Sequence, residues 1–422
     1  MWSCKCEETM RMRHPDQPEP LHTILVKANR FRKIVRMNEA AGTTGFGNRQ
    51  TMNEKVPIIT GNFAPLRFVL LNKQDVWAPT FDQVVRREYD YVKMHRISTW
   101  FDVGMGPYTL AMCFDGTLVL PALQKFKDKD LALAQFNATL TEILIGGVYC
   151  EAVTPEDIAY GSLTHTGYAR IYGSQRGPSL SFHLAARTKC IGPLDTMRLL
   201  NPATITVEEL HKSLRFGREL LGKLGEIPRE QVLYGTTFYV KNQWAESLIH
   251  MWTTTERIIE LAWERYVVHA SKDVSKRRRA FLDDHRSWPV SSKLEVLFQK
   301  NLLPLNTYEM LDDARKARNE FAHKGIAPSQ DHASKALSAC FELASLCASG
   351  FERTDLFEKI VSLVKGRCET DILPKSPKPD LSDCEAWMAI PPIPGDENWG
   401  DRECEIIKEI CLQPIPEQLR SR

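Results

Sequence analysis

The chain has 422 residues, 43% of them hydrophobic, and its 55 basic and 53 acidic residues leave a formal net charge of +2. This length predicts about two or three domains with buried cores. The near balance of charge excludes a globally basic nucleic-acid binder, so any contact with a nucleic acid must come from a local basic patch. The 11 cysteines are scattered without a Cys-x-x-Cys pair, which favours a reducing, cytoplasmic compartment.

The first part of the chain divides into two predicted segments. Residues 1–52 show no clear period, and we expect a poorly ordered leader without a secretory signal. Residues 53–205 have the pattern of a mixed domain of strands and helices. Its predicted strands cover residues 56–59, 66–71, 108–114, 117–120, 167–172 and 180–188, and Asp115-Gly116 is the turn of a hairpin. A helix is predicted over 127–145, and a further helix start at 154–157.

Residues 206–350 have helical periodicity almost throughout. Predicted helices cover residues 207–224, 228–268, 293–299, 306–323 and 329–349, with a basic loop at 276–279. These lengths and the short connections between them predict an up-down helical bundle of about four or five helices. No window contains about 18 apolar residues, so no membrane span is expected.

Residues 351–422 form the last predicted segment. A helix over 355–365 leads into a proline-rich linker at 373–379 and then an acidic tail, with a short helix predicted over 402–411. The sequence therefore predicts an α+β protein, with an N-terminal mixed domain, a helical bundle and a flexible C-terminal tail.

The most informative chemistry lies near the end of the helix predicted over 306–323. Arg318, Asn319 and His323 occur within six residues there. A guanidinium binds phosphate through charge-assisted hydrogen bonds, and an imidazole exchanges a proton near neutral pH. Together these groups can cleave RNA without a metal ion.

The spacing of this motif within a helical bundle resembles the HEPN superfamily. The helix that contains Trp252 and Glu256 also resembles the first bundle helix of its Apea-like branch. The ribonuclease members of that superfamily carry an arginine, a polar residue, three or more variable residues and a histidine. Arg318, Asn319, the tripeptide at 320–322 and His323 match this order. The flanking residues at 293–297, Tyr308 and Leu311 agree with the resemblance, which covers about 120 residues of the chain.

The resemblance implies a metal-independent endoribonuclease that acts as a homodimer, often as a toxin or phage-defence effector. The RNA 2′-hydroxyl would attack the adjacent phosphorus, giving a 2′,3′-cyclic phosphate and a 5′-hydroxyl. In catalysis, His323 would transfer a proton and Arg318 would stabilise the phosphorane. Asn319 would orient the phosphate or the imidazole. No cofactor and no metal are expected. Contact with the RNA backbone is predicted for Lys276, Arg277, Arg278, Arg279 and Lys324.

Helix geometry constrains how this motif could act. Arg318 and His323 are five residues apart, so they project about 140° from each other around an ideal helix. One helix therefore does not direct both side chains at one phosphate unless it frays near His323. A two-fold interface through this helix would bring two copies of each residue to one groove, which supports a homodimer.

Three functional hypotheses remain open at this stage. The first is an RNA-cleaving enzyme whose mixed domain senses a trigger or recruits a target, with a regulatory partner able to hold activity off. The second is a non-catalytic HEPN module that dimerises and binds a nucleotide or a partner. The third is an enzyme in residues 55–200 with a helical dimerisation domain, although His165 and His183 look isolated in the sequence. The Arg-Asn pair could also be a solvated helix face, and His323 a simple helix cap.

Overall fold

The computed structural model describes residues 55–126, 129–173, 177–270, 275–348 and 355–368. The predicted leader at 1–52, the proline-rich linker at 373–379 and the short helix at 402–411 lie outside these residues. The fold is α+β, as the sequence predicts.

The N-terminal half contains an antiparallel sheet and several short helices. Its elements in chain order are β1 (Val56–Gly61), β2 (Arg67–Leu70), α1 (Phe81–Val85), α2 (Tyr91–Met94), β3 (Ile97–Met105), β4 (Tyr108–Cys113), β5 (Leu118–Pro121), α3 (Lys129–Ile145), β6 (Ile158–Leu163), β7 (Ala169–Tyr172), α4 (Pro178–Arg187), α5 (Pro193–Leu200) and β8 (Ala203–Thr206). The six-stranded sheet has the order β3-β4-β5-β1-β6-β7, and β2 pairs with β8 in parallel. The predicted hairpin is confirmed as β4 and β5, with Ala111 opposite Val119.

The C-terminal half is helical. It contains α6 (Val207–Leu224), α7 (Arg229–Val240), α8 (Trp244–Trp263), α9 (Lys276–Leu282), α10 (Val290–Gln299), α11 (Leu305–Lys324), α12 (Gln330–Cys347) and α13 (Asp355–Cys368). A single π-helical turn at Glu264–Val268 extends α8. Helix α8 contacts α7 and α12, and α12 also contacts α11 and α13.

One hydrophobic cluster runs from the sheet into the helices. Ile59 and Phe101 of the sheet belong to the same buried cluster as Phe136 of α3, Trp252 of α8 and Leu337 of α12. This burial is the main stabilising contribution to the arrangement of helices that carries the motif. The predicted domain boundary near residue 206 falls inside that continuous cluster, and it stays a prediction.

Three predicted elements differ from the structure. Residues 180–188 are not a strand but lie in α4, where Pro178 at the first helical turn favours a helix start. The long helix predicted over 228–268 is interrupted between α7 and α8, where Asn242 adopts a left-handed conformation with φ of 59°. The basic residues 276–279 are not a loop, because the Ser275 side chain caps them as the start of α9.

The helix start predicted at 154–157 is only one 3-10 turn, Pro155–Asp157, which leads directly into β6. The elements α1, α2, α5, β3, β6 and β8 were not predicted from the sequence. These elements are short or lack a clean period, so local pattern alone gives a weak signal for them.

Candidate functional site

The helix that carries the motif is confirmed as α11. Its buried residues Leu311, Ala314 and Ala317 recur at helical spacing and face the core. Gly325 ends the helix in a left-handed conformation with φ of 67°, which glycine adopts without steric cost. The motif therefore occupies the last two turns of the helix, where a positive charge is favoured by the helix dipole.

Arg318 and Asn319 contact each other directly. The Arg318 Nη1 donates a hydrogen bond to the Asn319 Oδ1 at 3.2 Å, and both residues are half-buried. His323 is exposed, and neither nitrogen of its ring has a hydrogen-bond partner among the described residues. The asparagine thus holds the guanidinium, while the imidazole remains available to a ligand.

A cleft of about 470 Å³ lies between the end of α11 and the start of α12. Its volume falls within the range of ligand pockets in proteins. The lining residues are Asp313, Arg315, Lys316, Ala317, Asn319, Glu320, His323, Lys324 and His332. Among the described residues of this single chain, Arg318 does not line the cleft with His323. That separation agrees with the angle of about 140° expected from helix geometry.

The basic groups of the cleft are partly neutralised by neighbouring carboxylates. Arg315 and Lys316 both bind Asp312, at 2.7 and 2.6 Å, and Lys324 lies 3.4 Å from Glu320. The hydrogen bond to Asp312 raises the pKa of Lys316, so this amine stays positively charged at neutral pH. An anionic ligand would therefore have to compete with these carboxylates for the cations of the cleft.

His332 is a cleft residue that was not predicted from the sequence. It lies at the third position of α12, where its ring caps the backbone N–H of Ser329 and the Ser329 side chain caps the His332 backbone. A capping box usually has Glu or Gln in this position. The signal in the sequence was a Ser-x-x-His variant of that motif, immediately before an apolar helix.

The predicted basic patch is a separate surface on α9. Residues 276–279 are all exposed, and Arg279 is held by Glu264 at 2.5 Å. Within the described residues, Lys276, Arg277 and Arg278 form no ion pair, and none of the four lines the cleft beside His323. Of the predicted RNA-binding residues, only Lys324 belongs to that cleft.

Two glutamates of α8, Glu256 and Glu260, bind side chains within the fold. Glu260 pairs with Lys293 of α10, whose side chain is only 1% exposed. Glu256 accepts a hydrogen bond from the Trp252 Nε1 at 2.5 Å. The first pair joins α8 to α10, because a buried ammonium requires a carboxylate partner. Trp252 and Trp263 pack in the core, since both are 2% exposed, whereas Trp244 is half-buried.

A second group of charges is buried in the N-terminal half. Asp115, His183 and Arg187 are 1%, 2% and 2% exposed. Arg187 donates to both oxygens of Asp115, at 2.6 and 2.7 Å, and the His183 Nδ1 lies 2.9 Å from the same carboxylate. The interpretation of His183 as isolated is therefore wrong, because the helical period of α4 places it beside Arg187.

The Asp115 carboxyl has a strongly perturbed pKa. Burial has the largest single effect and would raise it, but the charges and hydrogen bonds of Arg187 and His183 together hold it well below its usual range. All three side chains are enclosed, and they join the turn between β4 and β5 to α4. The cluster is therefore a structural network that stabilises the sheet.

The described residues offer neither a metal site nor a membrane span. Within them, no group of three or more His, Cys, Asp or Glu side chains is arranged to hold a metal ion. No helix in this part of the chain is long and apolar enough to cross a membrane.

Comparison with known proteins gives no family for this chain. No protein-family model, no curated protein and no solved structure matches it significantly. The functional interpretation therefore rests on the motif, its helix and the cleft.

Proposed function

We propose that this protein is a metal-independent endoribonuclease of the HEPN type, of the Apea-like branch, in which the end of α11 carries the active site. The observation on which this depends is the cleft at the end of α11 and the start of α12. There, His323 presents a ring without a hydrogen-bond partner among the described residues, next to Asn319 and the cation of Lys324. Such a site suits a ribose-phosphate linkage, which is anionic and needs proton transfer to be cleaved.

In the proposed reaction, the 2′-hydroxyl attacks the adjacent phosphorus and the bond to the 5′-oxygen breaks. His323 takes part in proton transfer, and Arg318 stabilises the charge that develops on the phosphorane oxygens. The hydrogen bond from Arg318 to Asn319 restricts the guanidinium before substrate binds. The products are a 2′,3′-cyclic phosphate and a 5′-hydroxyl end.

A homodimer completes the proposed site, because Arg318 does not line the cleft of its own chain. In this dimer, Arg318 of one subunit would approach the cleft of the other subunit.

The experiment is digestion of RNA in EDTA by the wild type, Arg318→Ala and His323→Ala. We expect both variants to lose at least about 100-fold in rate, the lower range for removal of an acid–base or charge-stabilising group. Matched controls are Arg198→Ala and His269→Ala, which remove exposed side chains of the same types. Cleavage that survives both active-site substitutions, or that requires a divalent metal, would rule out the proposed function.

The second candidate is a non-catalytic HEPN module that dimerises and binds a nucleotide or partner. The placement of Arg318 outside the single-chain cleft favours it. A purified protein that binds RNA oligonucleotides without cleaving them, with binding weakened by Arg318→Ala, would favour this alternative over the nuclease. Suppression of bacterial growth by the wild type but not by His323→Ala would favour a toxin or defence nuclease.

A further inference from the structure

Two tyrosines lie side by side on the surface of the sheet in the N-terminal half. Tyr160 of β6 and Tyr172 of β7 are direct partners in the register of these antiparallel strands. Directly opposite residues point to the same face of a sheet, with Cβ atoms about 4.5–5.5 Å apart. The two side chains are 45% and 53% exposed. The pair is therefore a feature of the sheet surface that packing in the core does not explain.

Helix α3 covers only part of this face of the sheet. The register places Leu120, Ile59, Tyr160 and Tyr172 in one row across four strands. Leu120 and Ile59 are fully buried and belong to the same cluster as Phe136 of α3. The two tyrosines continue the row in contact with solvent. The row thus changes from core to surface between β1 and β6.

Polar contacts order both tyrosine rings. The Tyr172 hydroxyl forms a hydrogen bond with the Ser162 Oγ at 2.6 Å. The Nζ of Lys129, at the start of α3, lies 5.6 Å from the centre of the Tyr160 ring, which is within the range of a cation–π contact. Neither ring stacks on another aromatic ring of the described residues. A ring that is already ordered loses little conformational entropy when a planar ligand stacks on it.

Two cations border these rings. Arg170 is exposed and precedes Tyr172 by two residues on β7, so it points to the same face of the sheet. Lys129 is the second cation. In the part of the chain that the structure describes, neither cation forms an ion pair with a carboxylate. We call the surface formed by Lys129, Tyr160, Arg170 and Tyr172 the tyrosine face.

The chemistry of the tyrosine face matches that of an unpaired nucleic-acid strand. Every base has a planar π-face that can stack on an aromatic ring, and every linkage carries a negative phosphate. An apolar peptide would use the rings but not the cations. A duplex would use the cations but not the rings, because its bases are stacked on one another. Only the unpaired strand is complementary to both groups.

We propose that the tyrosine face binds a single-stranded nucleic acid. Successive bases stack on Tyr160 and Tyr172. The ammonium of Lys129 and the guanidinium of Arg170 bind the adjoining phosphates. This site goes beyond the proposed function, because it shares no residue with the cleft that His323 lines and binding here requires no cleavage. Together with that function, it would give the N-terminal half the role of recruiting the RNA.

The test measures binding by fluorescence anisotropy in the full-length protein carrying His323→Ala, so that the proposed cleavage does not consume the probe. The probes are a labelled single-stranded RNA of about 10 nucleotides, within the usual site sizes of single-strand binders, a DNA of the same sequence, and the duplex of each. We expect Tyr160→Leu and Tyr172→Leu each to weaken binding of the unpaired strand by about 5- to 140-fold, the range for loss of one base–aromatic stack. The single strand that binds more tightly identifies the natural ligand as RNA or DNA.

Matched variants separate stacking from other effects. Tyr160→Phe keeps the ring and should bind like the His323→Ala parent, because the Tyr160 hydroxyl has no hydrogen-bond partner among the described residues. Tyr108→Leu, on β4 of the same sheet, removes a tyrosine that is 44% exposed and should also leave the affinity unchanged. Lys129→Ala and Arg170→Ala should each decrease the magnitude of the salt dependence of log K by about 0.7, whereas the tyrosine variants should not.

Several results would overturn the tyrosine face as a binding site. They are an unchanged affinity in both leucine variants, equal losses in Tyr160→Phe and Tyr160→Leu, and duplex binding as tight as that of the single strand. Each can occur while the wild type still cleaves RNA, which leaves the proposed function intact. Conversely, tyrosine-dependent binding by a wild type that never cleaves RNA would support the tyrosine face and contradict the proposed function.

Discussion

The buried ion pair of Arg187 and Asp115 gives a prediction that does not depend on function. Substitution of Arg187→Met keeps a long side chain but removes the guanidinium from a site that is 2% exposed. The Asp115 carboxylate is then left without two charge-assisted hydrogen bonds and keeps only the His183 ring and the Thr117 backbone N–H as partners. Removing one partner of a buried pair costs about 3–5 kcal/mol, because an unpaired charge stays in the interior.

The assay is chemical denaturation followed by circular dichroism, with the free energy of unfolding extrapolated to water. The matched control is Arg198→Met, since Arg198 is 69% exposed and lies 3.6 Å from Asp195. An exposed pair of this kind contributes about 0–1 kcal/mol. A decrease below about 1 kcal/mol for Arg187→Met would refute the account of a stabilising buried network.

The same network predicts a dependence on pH. The pKa of the Asp115 carboxyl is lowered in the folded state. Its contribution to the free energy of unfolding is therefore complete above the pKa of the unfolded state, about 3.9, and is lost as the pH falls toward the pKa of the folded state. The free energy of unfolding should therefore decline below about pH 5 in the wild type, and decline less steeply in Asp115→Asn. Equal slopes for the two proteins would contradict this assignment.

Two further predictions concern packing and RNA binding. A Cβ at Gly217 would lie 1.8 Å from the backbone oxygen of Glu142, so Gly217→Ala should lower the melting temperature, whereas Gly222→Ala in the same helix meets open space and should be neutral or stabilising by up to about 1 kcal/mol. Equal melting temperatures for the two variants would contradict the close approach of α3 and α6. Replacing the exposed Arg277 and Arg278 by Ala should reduce the salt dependence of single-stranded RNA binding, measured by fluorescence anisotropy at several salt concentrations. The slope of the logarithm of the binding constant against the logarithm of the salt concentration should decrease in magnitude by about 0.7 for each phosphate that the variant no longer neutralises. An unchanged salt slope would exclude α9 from the interface.

The helices that carry the candidate site were predictable from the sequence. Helix α11 was predicted over 306–323 and is found at Leu305–Lys324, because its apolar residues recur at helical spacing and Gly325 gives a clear stop signal. Helix α12 was predicted over 329–349 and is found at Gln330–Cys347 for the same reason. Long amphipathic helices with caps give the strongest local signal.

Helix α4 shows why other elements were not predictable. Leu180, Phe182 and Leu184 alternate with polar residues, which matches the period of a strand. The residues that matter in the structure are His183 and Arg187, four positions apart, whose partner Asp115 is 68 and 72 residues away. A local pattern contains no information on such a distant partner, so tertiary structure decides between the two periods.

The candidate functional site was likewise predictable only where its residues are close in sequence. The motif at 318–323 was visible because its chemistry is local, whereas His332 joins the cleft only through the turn between α11 and α12. The separation of Arg318 from the cleft followed from helix geometry alone. Whether a second subunit supplies the missing guanidinium depends on an interface, which is a property of surfaces rather than of sequence spacing.

Complementation between two inactive variants tests the central proposal most directly. Arg318→Ala and His323→Ala are mixed, allowed to exchange subunits, and assayed for RNA cleavage in EDTA. If Arg318 of one subunit serves the cleft of the other, each mixed dimer contains one intact site, and the mixture should recover about a quarter of wild-type activity. Separately, each variant should remain inactive. A mixture that stays inactive after demonstrated subunit exchange would contradict the shared site.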